Sequence, residues 1–255
     1  MTTPIRTETL REGQVERIVL DRPKANVLDA EMLGAVRAHV RTLSSRSALK
    51  LVVFEGAGPH FSFGASVQEH LPAQVGDMLA SFHALFRELE DLGVPTASIV
   101  RGQCLGGGFE LAIACGQVFC DPSARFAVPE VTLGVFPPIA ALLLPWRVRG
   151  AAATRLVITG EVVEGDQAVV LGIADVCDPD PEGALWGWFD DALAPKSAVG
   201  IRFAWRAVRQ PVARALAEDL PVLERMYLDD LMSHRDPVEG LNAFLERRKP
   251  RWDHR

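Results

Sequence analysis

Hydrophobic residues in the first part of the chain form short runs that alternate with amphipathic stretches. Residues 15–23 (VERIVLDRP) and 49–58 (LKLVVFEGAG) are apolar runs that predict buried strands. The amphipathic stretch between them predicts a helix, with Asp29 as its N-cap. A strand, a helix and a second strand in this order form a right-handed parallel crossover in nearly all proteins. The pattern therefore favours an α/β fold.

The same alternation continues to about residue 129. The pattern predicts a helix over 75–92, a strand over 95–102, a helix that opens near Gly107, and a strand over 124–129. From about Trp186 onward it predicts no strand, and the remaining segments are typical of helices. These helices are expected to pack on the core or on a neighbouring subunit.

Composition narrows the class of protein. The 255 residues are 48% hydrophobic with a formal net charge of −6, so no basic field covers the molecule and nucleic acid is not expected as a partner. The four cysteines lack paired metal-type spacing, which favours a reducing compartment. No secretory leader and no apolar run of about 18 or more residues occurs, so no membrane segment is expected. These features predict a cytoplasmic globular protein.

Three consecutive glycines stand before an acid in QCLGGGFELAIACG. Each glycine inside an element costs about 0.5–1 kcal/mol relative to alanine, so the triplet needs an unusual backbone shape or a close ligand. A helix that begins at Gly107 would point free N–H groups and the positive end of its dipole at an oxygen that becomes negative. Glu110 lies on the same helix face one turn away. A packing turn with a dipole-complementing glutamate fits these residues equally well.

Two further segments can meet the triplet at the same edge of the sheet. GPHFSFGASVQEH, residues 58–70, follows a predicted strand and can present the N–H of Ala65 to the same oxygen. RFAVPEVTLGVFPP, residues 125–138, places Glu130 directly after a predicted strand. A glutamate that follows a proline is also typical of a solvated turn. Two histidines near the first segment show no metal-ligand spacing and are taken as ordinary side chains: His60 and His70.

These segments, at these separations, resemble the signature segments of the crotonase (enoyl-CoA hydratase/isomerase) superfamily. Residues 233–252 also resemble the C-terminal helix of that family, so the resemblance runs from about residue 10 to the end. It implies an α/β core built as a spiral of ββα turns over residues 1–190. It also implies a helical oligomerisation domain over residues 191–255, and a homotrimer or a dimer of trimers.

The resemblance assigns a role to each candidate site residue. Ala65 and Gly107 match the oxyanion-hole amides of the family, and Glu110 and Glu130 match the two glutamates of its hydratases. Hydration or dehydration of an acyl thioester puts negative charge on the thioester oxygen, which two aimed amides stabilise. Two close acids have separated pKa values, so one can take a proton while the other gives one. No metal and no redox cofactor is expected.

Coenzyme A is expected as part of the substrate. By resemblance, the turn RPKANVL with Lys24 and Ala25 holds the nucleotide portion, together with the backbone of Ala65, Ser66 and Val67. Lys249, in the tail, resembles the family's lysine that reaches a phosphate, often from a neighbouring subunit. A solvated face is the ordinary alternative for such basic side chains.

The segment after Glu130 departs from the glycine-rich form common in hydratases. Phe136, Pro137 and Pro138 are bulky and stiff, so they are expected to wall the acyl pocket and favour a short branched or cyclic acyl group. The segment resembles 3-methylglutaconyl-CoA hydratases and cyclohexadienecarbonyl-CoA hydratases. The sequence favours dehydration of 3-hydroxy-3-methylglutaryl-CoA, with hydration of the cyclic diene or of a general short-chain enoyl-CoA as alternatives.

The two acyl groups need different surroundings. A dienoyl ring suits the apolar side chains expected there: Met78, Phe82 and Phe136. A distal carboxylate needs a cation or hydrogen-bond donors when it is buried. The candidates on the helix predicted over the pocket are His83 and Arg87, although both are expected on its solvated face.

Two other classes of function fit the same scaffold. An enoyl-CoA isomerase or a thioester hydrolase would use the oxyanion hole without needing both glutamates. An RNA-binding role is known for some relatives, but the acidic charge and the lack of a Lys/Arg-rich stretch argue against it. The presence of both glutamates favours the hydratase.

Overall fold

A computed structural model describes residues 3–255. Its main sheet has six strands in the order β1-β2-β3-β4-β6-β9, and a smaller sheet has the order β5-β7-β8. The strands are β1 (Ile5–Leu10), β2 (Val15–Leu20), β3 (Leu51–Gly56), β4 (Thr96–Val100), β5 (Gln103–Leu105), β6 (Gln117–Cys120), β7 (Arg125–Ala127), β8 (Val163–Glu164) and β9 (Val176–Cys177). Antiparallel pairing occurs between β1 and β2 and between β7 and β8, and the other named pairs are parallel.

Helices surround these sheets and make up the C-terminal part of the chain. They are α1 (Ala30–Thr42), α2 (Val75–Leu92), α3 (Gly107–Ala114), α4 (Pro138–Arg147), α5 (Gly150–Thr159), α6 (Gly165–Leu171), α7 (Pro181–Ala192), α8 (Ala198–Glu218), α9 (Leu220–Arg225) and α10 (Arg235–Leu245). A 3-10 helix covers Pro129–Leu133, and a π-helical turn covers Met226–Asp230. The whole chain is therefore a mixed α/β fold with a helical end.

Local sequence signals set the ends of the first helices. Asp29 caps α1, because its carboxylate accepts a hydrogen bond from the N–H of Met32 at 2.9 Å. Helix α2 ends at Gly93, whose φ of +64° is the left-handed conformation that closes many helices. The cap at Asp29 and the extent of α2 are thus confirmed, as is the parallel pairing of β2 with β3 around α1.

The short strands and the antiparallel edge were not predicted. Strands β8 and β9 have two residues each, which is too short for a hydrophobic period to be visible. Strand β1 adds an antiparallel edge in front of the predicted parallel unit. The sequence therefore predicted β2, β3, β4 and β7, but missed the edge strand β1 and the other short strands, as well as the helices α4 and α5.

The C-terminal helices pack on the core of their own chain. Leu216, Leu220 and Leu241 are buried in the same hydrophobic cluster as the core helices. Arg209 of α8 forms an ion pair with Glu90 of α2, so this contact ties the tail to the helix above the sheet. The division into a core over residues 1–190 and an oligomerisation domain over residues 191–255 stays a prediction.

Residues 3–255 contain no membrane-spanning helix, no metal-binding cluster of side chains and no disulfide. None of the helices between residues 3 and 255 combines the length and the apolar character that crossing a bilayer requires. In the same stretch no group of three or more His, Cys, Asp and Glu side chains is arranged to hold a metal ion. The four cysteines are unpaired, and three of them are buried: Cys104, Cys115 and Cys120.

Candidate active site

The turn from β5 into α3 explains the first glycine of the triplet. Gly106 has φ +50° and ψ −126°, which residues with a side chain rarely adopt. A Cβ atom at this position would also lie 2.6 Å from Oε1 of Glu130. The N–H of Gly106 donates to the carbonyl of Ala127 on β7 at 2.9 Å. This turn therefore brings the segment that carries Glu130 against the start of α3.

Two backbone N–H groups converge at the same place. A Cβ atom built on Gly107 would lie 3.2 Å from the nitrogen of Ala65 and 3.0 Å from Cζ of Phe82. Among residues 3–255, neither of these N–H groups donates to another backbone group. Two free N–H groups this close together are suited to share one acceptor oxygen, as an oxyanion hole requires. The structure thus brings together the two amides that the sequence predicted.

Backbone hydrogen bonds fix the loop that carries Ala65. The N–H of Leu28 donates to the carbonyl of Gly64 at 2.9 Å, and the N–H of Phe63 donates to the carbonyl of Ala25 at 2.8 Å. The turn around Ala25 and the loop around Ala65 are consequently neighbours. The side chain of Lys24 is exposed beside them.

Glu110 is a buried carboxyl group in the first turn of α3. Only 3% of the residue is exposed, and its Oε1 accepts a hydrogen bond from the N–H of Ala140 at 2.8 Å. Burial raises the pKa of Glu110 to about 7, while the N–H groups of Ala140 and Ile139 oppose this rise by stabilising the carboxylate. Glu110 is therefore the member of the pair that the protein helps to ionise.

Glu130 is the second carboxyl group and has fewer partners. Its Oε2 atom is shielded from solvent and accepts no hydrogen bond from any residue that the structure describes. Burial and the charge of Glu110 raise the pKa of Glu130 to about 8. Near neutral pH the pair therefore favours an ionised Glu110 and a protonated Glu130, which provides a proton acceptor beside a proton donor.

Helix α4 supplies the amides that reach Glu110. It starts at Pro138 after Pro137, and proline has no N–H to offer. The first N–H groups at this helix end belong to Ile139 and Ala140; that of Ala140 donates to Oε1 of Glu110, and that of Ile139 also favours the carboxylate form. The sequence predicted only that this segment walls the acyl pocket. Prolines at the start of a helix also indicate where the first free N–H groups of that helix lie.

Aromatic side chains lie beside the oxyanion hole and the carboxyl pair. Phe82, on α2, touches the gap at Gly107, and Phe136 packs against Tyr227 with ring centroids 5.3 Å apart. The sequence did not identify Tyr227 as a site residue, because nothing in its local pattern connects it with Glu110 or Glu130. Burial, with the nearby charges of those two glutamates, raises the pKa of Tyr227. Tyr227 therefore belongs to the same pocket.

The prediction that His83 lies on a solvated face is wrong. His83 is completely buried, because α2 is covered by the C-terminal helices, and its Nδ1 lies 2.8 Å from Oε1 of Glu224. Burial lowers the pKa of His83 despite the carboxylate, which favours a neutral ring at neutral pH. Arg87 is partly exposed and donates to the same oxygen of Glu224 at 3.0 Å. Neither residue therefore offers an unpaired cation to a substrate.

The remaining predicted residues lie in two regions. Ser66 and Val67 are partly buried directly after Ala65. Lys249 is exposed on the tail. Their contacts with coenzyme A stay predictions.

The two histidines near the Ala65 loop have structural partners. Nδ1 of His60 accepts a hydrogen bond from the N–H of Gln103 at 3.1 Å. Nδ1 of His70 lies 2.8 Å from the carbonyl oxygen of Ser66, and burial lowers its pKa. Both side chains therefore brace the backbone, in agreement with their treatment as ordinary residues.

A pair of converging amides beside two carboxyl groups of unequal acidity is the arrangement of an acid–base enzyme that acts on an acyl group. The family model described as enoyl-CoA hydratase/isomerase matches residues 11–255. The chain belongs to this family and, with it, to the crotonase superfamily. It is an enzyme of the enoyl-CoA hydratase type.

Individual relatives agree with this assignment. The chain is 44% identical over 254 residues to cyclohexa-1,5-dienecarbonyl-CoA hydratase from Thauera aromatica, covering 100% of this chain and 98% of that protein. It is 31% identical to a probable enoyl-CoA hydratase from Rhizobium meliloti, covering 96% of each chain. An enoyl-CoA hydratase structure from Mycobacterium avium, 25% identical, superposes with a TM-score of 0.87 over 98% of this chain and 99% of that one.

Proposed function

We propose that the protein is a hydro-lyase that adds water to cyclohexa-1,5-dienecarbonyl-CoA, or removes water in the reverse direction. The observation that carries the reaction type is the pair Glu110 and Glu130 beside the converging amides of Ala65 and Gly107. The 44% identity over the whole chain to the Thauera aromatica hydratase supports the cyclic substrate.

The amides and the carboxyl pair divide the chemistry between them. The thioester oxygen accepts hydrogen bonds from the N–H groups of Ala65 and Gly107, so it can carry the negative charge of an enolate. Glu110, ionised, takes a proton from water as the water oxygen bonds to the unsaturated carbon. The π electrons move toward the thioester oxygen, and Glu130 then delivers its proton to carbon. The reaction is redox-neutral, and solvent exchange restores the two carboxyl groups.

The hydrogen bonds of Glu110 support this division of roles between the two acids. Two backbone N–H groups of α4 stabilise its carboxylate, whereas the shielded Oε2 of Glu130 has no such donor among residues 3–255. An ionised Glu110 is suited to act as the general base, and a protonated Glu130 as the general acid.

The polar side chains around the pocket favour the ring over a diacid. A glutaconyl group carries a distal carboxylate that needs a cation when buried, yet His83 and Arg87 are already bonded to Glu224. The 3-methylglutaconyl-CoA reaction that the sequence favoured is therefore not supported. A neutral dienoyl ring can pack against apolar side chains such as Phe82 and Phe136 without a polar partner.

The coenzyme A portion is proposed to lie along the joined turn and loop. In this proposal Lys24 and Ala25, with the backbone of residues 65–67, hold the nucleotide end, and Lys249 contacts a phosphate. Lys249 would act within a homotrimer or a dimer of trimers, where the tail of one subunit can reach another.

A panel of four thioesters tests the proposed reaction. Cyclohexa-1,5-dienecarbonyl-CoA, crotonyl-CoA, 3-methylglutaconyl-CoA and a decenoyl-CoA are each incubated with the protein, and products are identified by mass spectrometry. We expect the cyclic diene to gain one water and to have the highest kcat/KM. A higher kcat/KM for the glutaconyl or decenoyl thioester would contradict the proposed acyl pocket. Release of free thiol, or a moved double bond without hydration, would contradict the hydratase.

A further inference from the structure

Tyr227 is the single tyrosine of the sequence. It packs against Phe136 in the candidate active site. It sits in the π-helical turn after α9, and only 1% of the residue is exposed. Its ring packs against Phe136 with an interplanar angle of 53°. A phenylalanine would make the same ring contact, so packing alone does not account for the hydroxyl group.

The hydroxyl of Tyr227 has no hydrogen-bond partner among residues 3–255 and is shielded from solvent. A buried donor left in this state costs about 1–3 kcal/mol, and buried tyrosine hydroxyls usually have a partner. Oε2 of Glu130 is buried and unpartnered in the same way. Phe136, on which the Tyr227 ring packs, follows Val135, whose N–H donates to the carbonyl of Glu130 at 3.2 Å, and the same segment continues to Ala140, whose N–H donates to Glu110. The free phenol and the free carboxyl oxygen therefore lie against one short segment of the chain, and the charges of both glutamates act on Tyr227.

Helix α4 cannot supply a donor to a reacting oxygen in this pocket. Pro137 and Pro138 have no N–H, the N–H of Ala140 donates to Glu110, and the N–H of Ile139 stabilises the same carboxylate. A water molecule that gives a proton to Glu110 still needs a donor to hold its oxygen in place for attack. Tyr227 carries an unused buried O–H beside the two carboxyl groups.

We propose that the hydroxyl of Tyr227 donates a hydrogen bond to the oxygen that hydration adds to the acyl chain. In the reverse direction the same bond holds the hydroxyl group that leaves. The inference rests on the proposed hydratase function and extends it by one residue. Tyr227 keeps its proton throughout, since burial and two neighbouring acids oppose its ionisation. The residue orients the oxygen while Glu110 and Glu130 move the protons.

Tyr227→Phe removes only the oxygen atom and tests this role. We use two ligands that differ by one hydroxyl group, 3-hydroxybutyryl-CoA and butyryl-CoA, and measure both dissociation constants by calorimetry on proteins that also carry Glu130→Gln, so that the hydroxylated ligand is not dehydrated during the measurement. The protein that keeps Tyr227 should prefer the hydroxylated ligand, and the Tyr227→Phe variant should lose about tenfold of that preference, as expected for one hydrogen bond. Affinity for butyryl-CoA should stay unchanged, whereas a general packing defect would weaken both ligands. The kcat for crotonyl-CoA hydration should fall about tenfold or more.

A spectroscopic measurement on the otherwise unchanged protein gives an independent answer. Because the sequence has one tyrosine, protein labelled with 3-fluorotyrosine gives one ¹⁹F resonance. This resonance should shift further with 3-hydroxybutyryl-CoA than with butyryl-CoA.

The outcomes separate the two proposals. A wild type that hydrates no enoyl-CoA overturns the proposed function. A wild type that hydrates crotonyl-CoA, with a Tyr227→Phe variant of equal kcat and equal ligand preference, overturns only the role of Tyr227.

Discussion

Gly107→Ala tests the oxyanion hole by placing a methyl group beside the space for the acceptor oxygen. The added methyl carbon would lie 3.2 Å from the nitrogen of Ala65. An oxygen that accepts from both amides must lie about 2.9 Å from each nitrogen, so a methyl group beside the nitrogen of Ala65 would crowd that oxygen and displace it from its best position. Both N–H groups remain in the variant, which makes it a test of the space itself. Loss of a single oxyanion donor costs about 10²–10³ in kcat, so a loss of at least a hundredfold is expected.

The variant should still fold, which allows a clear comparison. The methyl group would also lie 3.0 Å from Cζ of Phe82, so that ring must move by a few tenths of an ångström. Gly107 has no positive φ, so alanine can adopt its backbone conformation. Gly76→Ala in α2 is the matched control, because nothing lies within 4 Å of its added carbon. Its activity should equal that of the wild type.

The assay combines turnover with binding of free coenzyme A, which has no acyl carbonyl. For Gly107→Ala we expect unchanged affinity for free coenzyme A and a large loss of kcat/KM for crotonyl-CoA. A folded variant with the kcat/KM of the wild type would refute the assignment of the hole to Ala65 and Gly107.

Three further predictions concern the carboxyl pair and the tail. Glu110→Gln and Glu130→Gln should each fold and lose about 10²–10⁴ in kcat, and wild-type turnover in either variant would remove that residue from catalysis. The kcat/KM of the wild type should rise through about pH 7 as Glu110 ionises and fall above about pH 8 as Glu130 loses its proton, and a flat profile would contradict this pairing. Lys249→Ala should weaken coenzyme A binding with little change in kcat, and unchanged affinity would exclude the phosphate contact.

The same acids make stability depend on pH, and the sign follows from their burial. Both folded-state pKa values lie above the ordinary value of 4.5, so the folded protein binds more protons than the unfolded chain between about pH 4.5 and 8. This contribution to the free energy of unfolding is therefore present at low pH and is lost as the pH rises through this window. This contribution to stability therefore falls over the same pH range in which Glu110 becomes ionised, the form that catalysis needs.

How far the fold could be predicted depended on how strong a local sequence signal each element carries. Helix α2 and strand β3 have strong apolar patterns, and Asp29 gives a local start signal for α1, so all three were predicted. Strands of two residues, such as β8, have no period to detect. The position of a helix face relative to solvent is decided by what packs on it, which explains the error at His83.

Some residues of the candidate site could be predicted from local sequence signals, and others could not. The amides of Ala65 and Gly107 and both glutamates lie in segments whose glycines and strand ends mark them locally. Tyr227 and the amide of Ala140 carry no such mark, because their roles depend on contacts between distant segments. A lone tyrosine in a helical tail signals nothing until the fold places it next to Glu130.

The prolines at the start of α4 connect the shape of the pocket to its proton chemistry. Pro137 and Pro138 stiffen the wall, but they also shift the first free N–H groups to Ile139 and Ala140, which bond to Glu110. These bonds favour the ionised form of Glu110, and its charge in turn favours the protonated form of Glu130. Because Pro137 and Pro138 have no N–H, the start of α4 also gives the reacting oxygen no backbone hydrogen bond. In the role proposed for Tyr227, the C-terminal helices supply that hydrogen bond through a buried hydroxyl group that has no partner among residues 3–255.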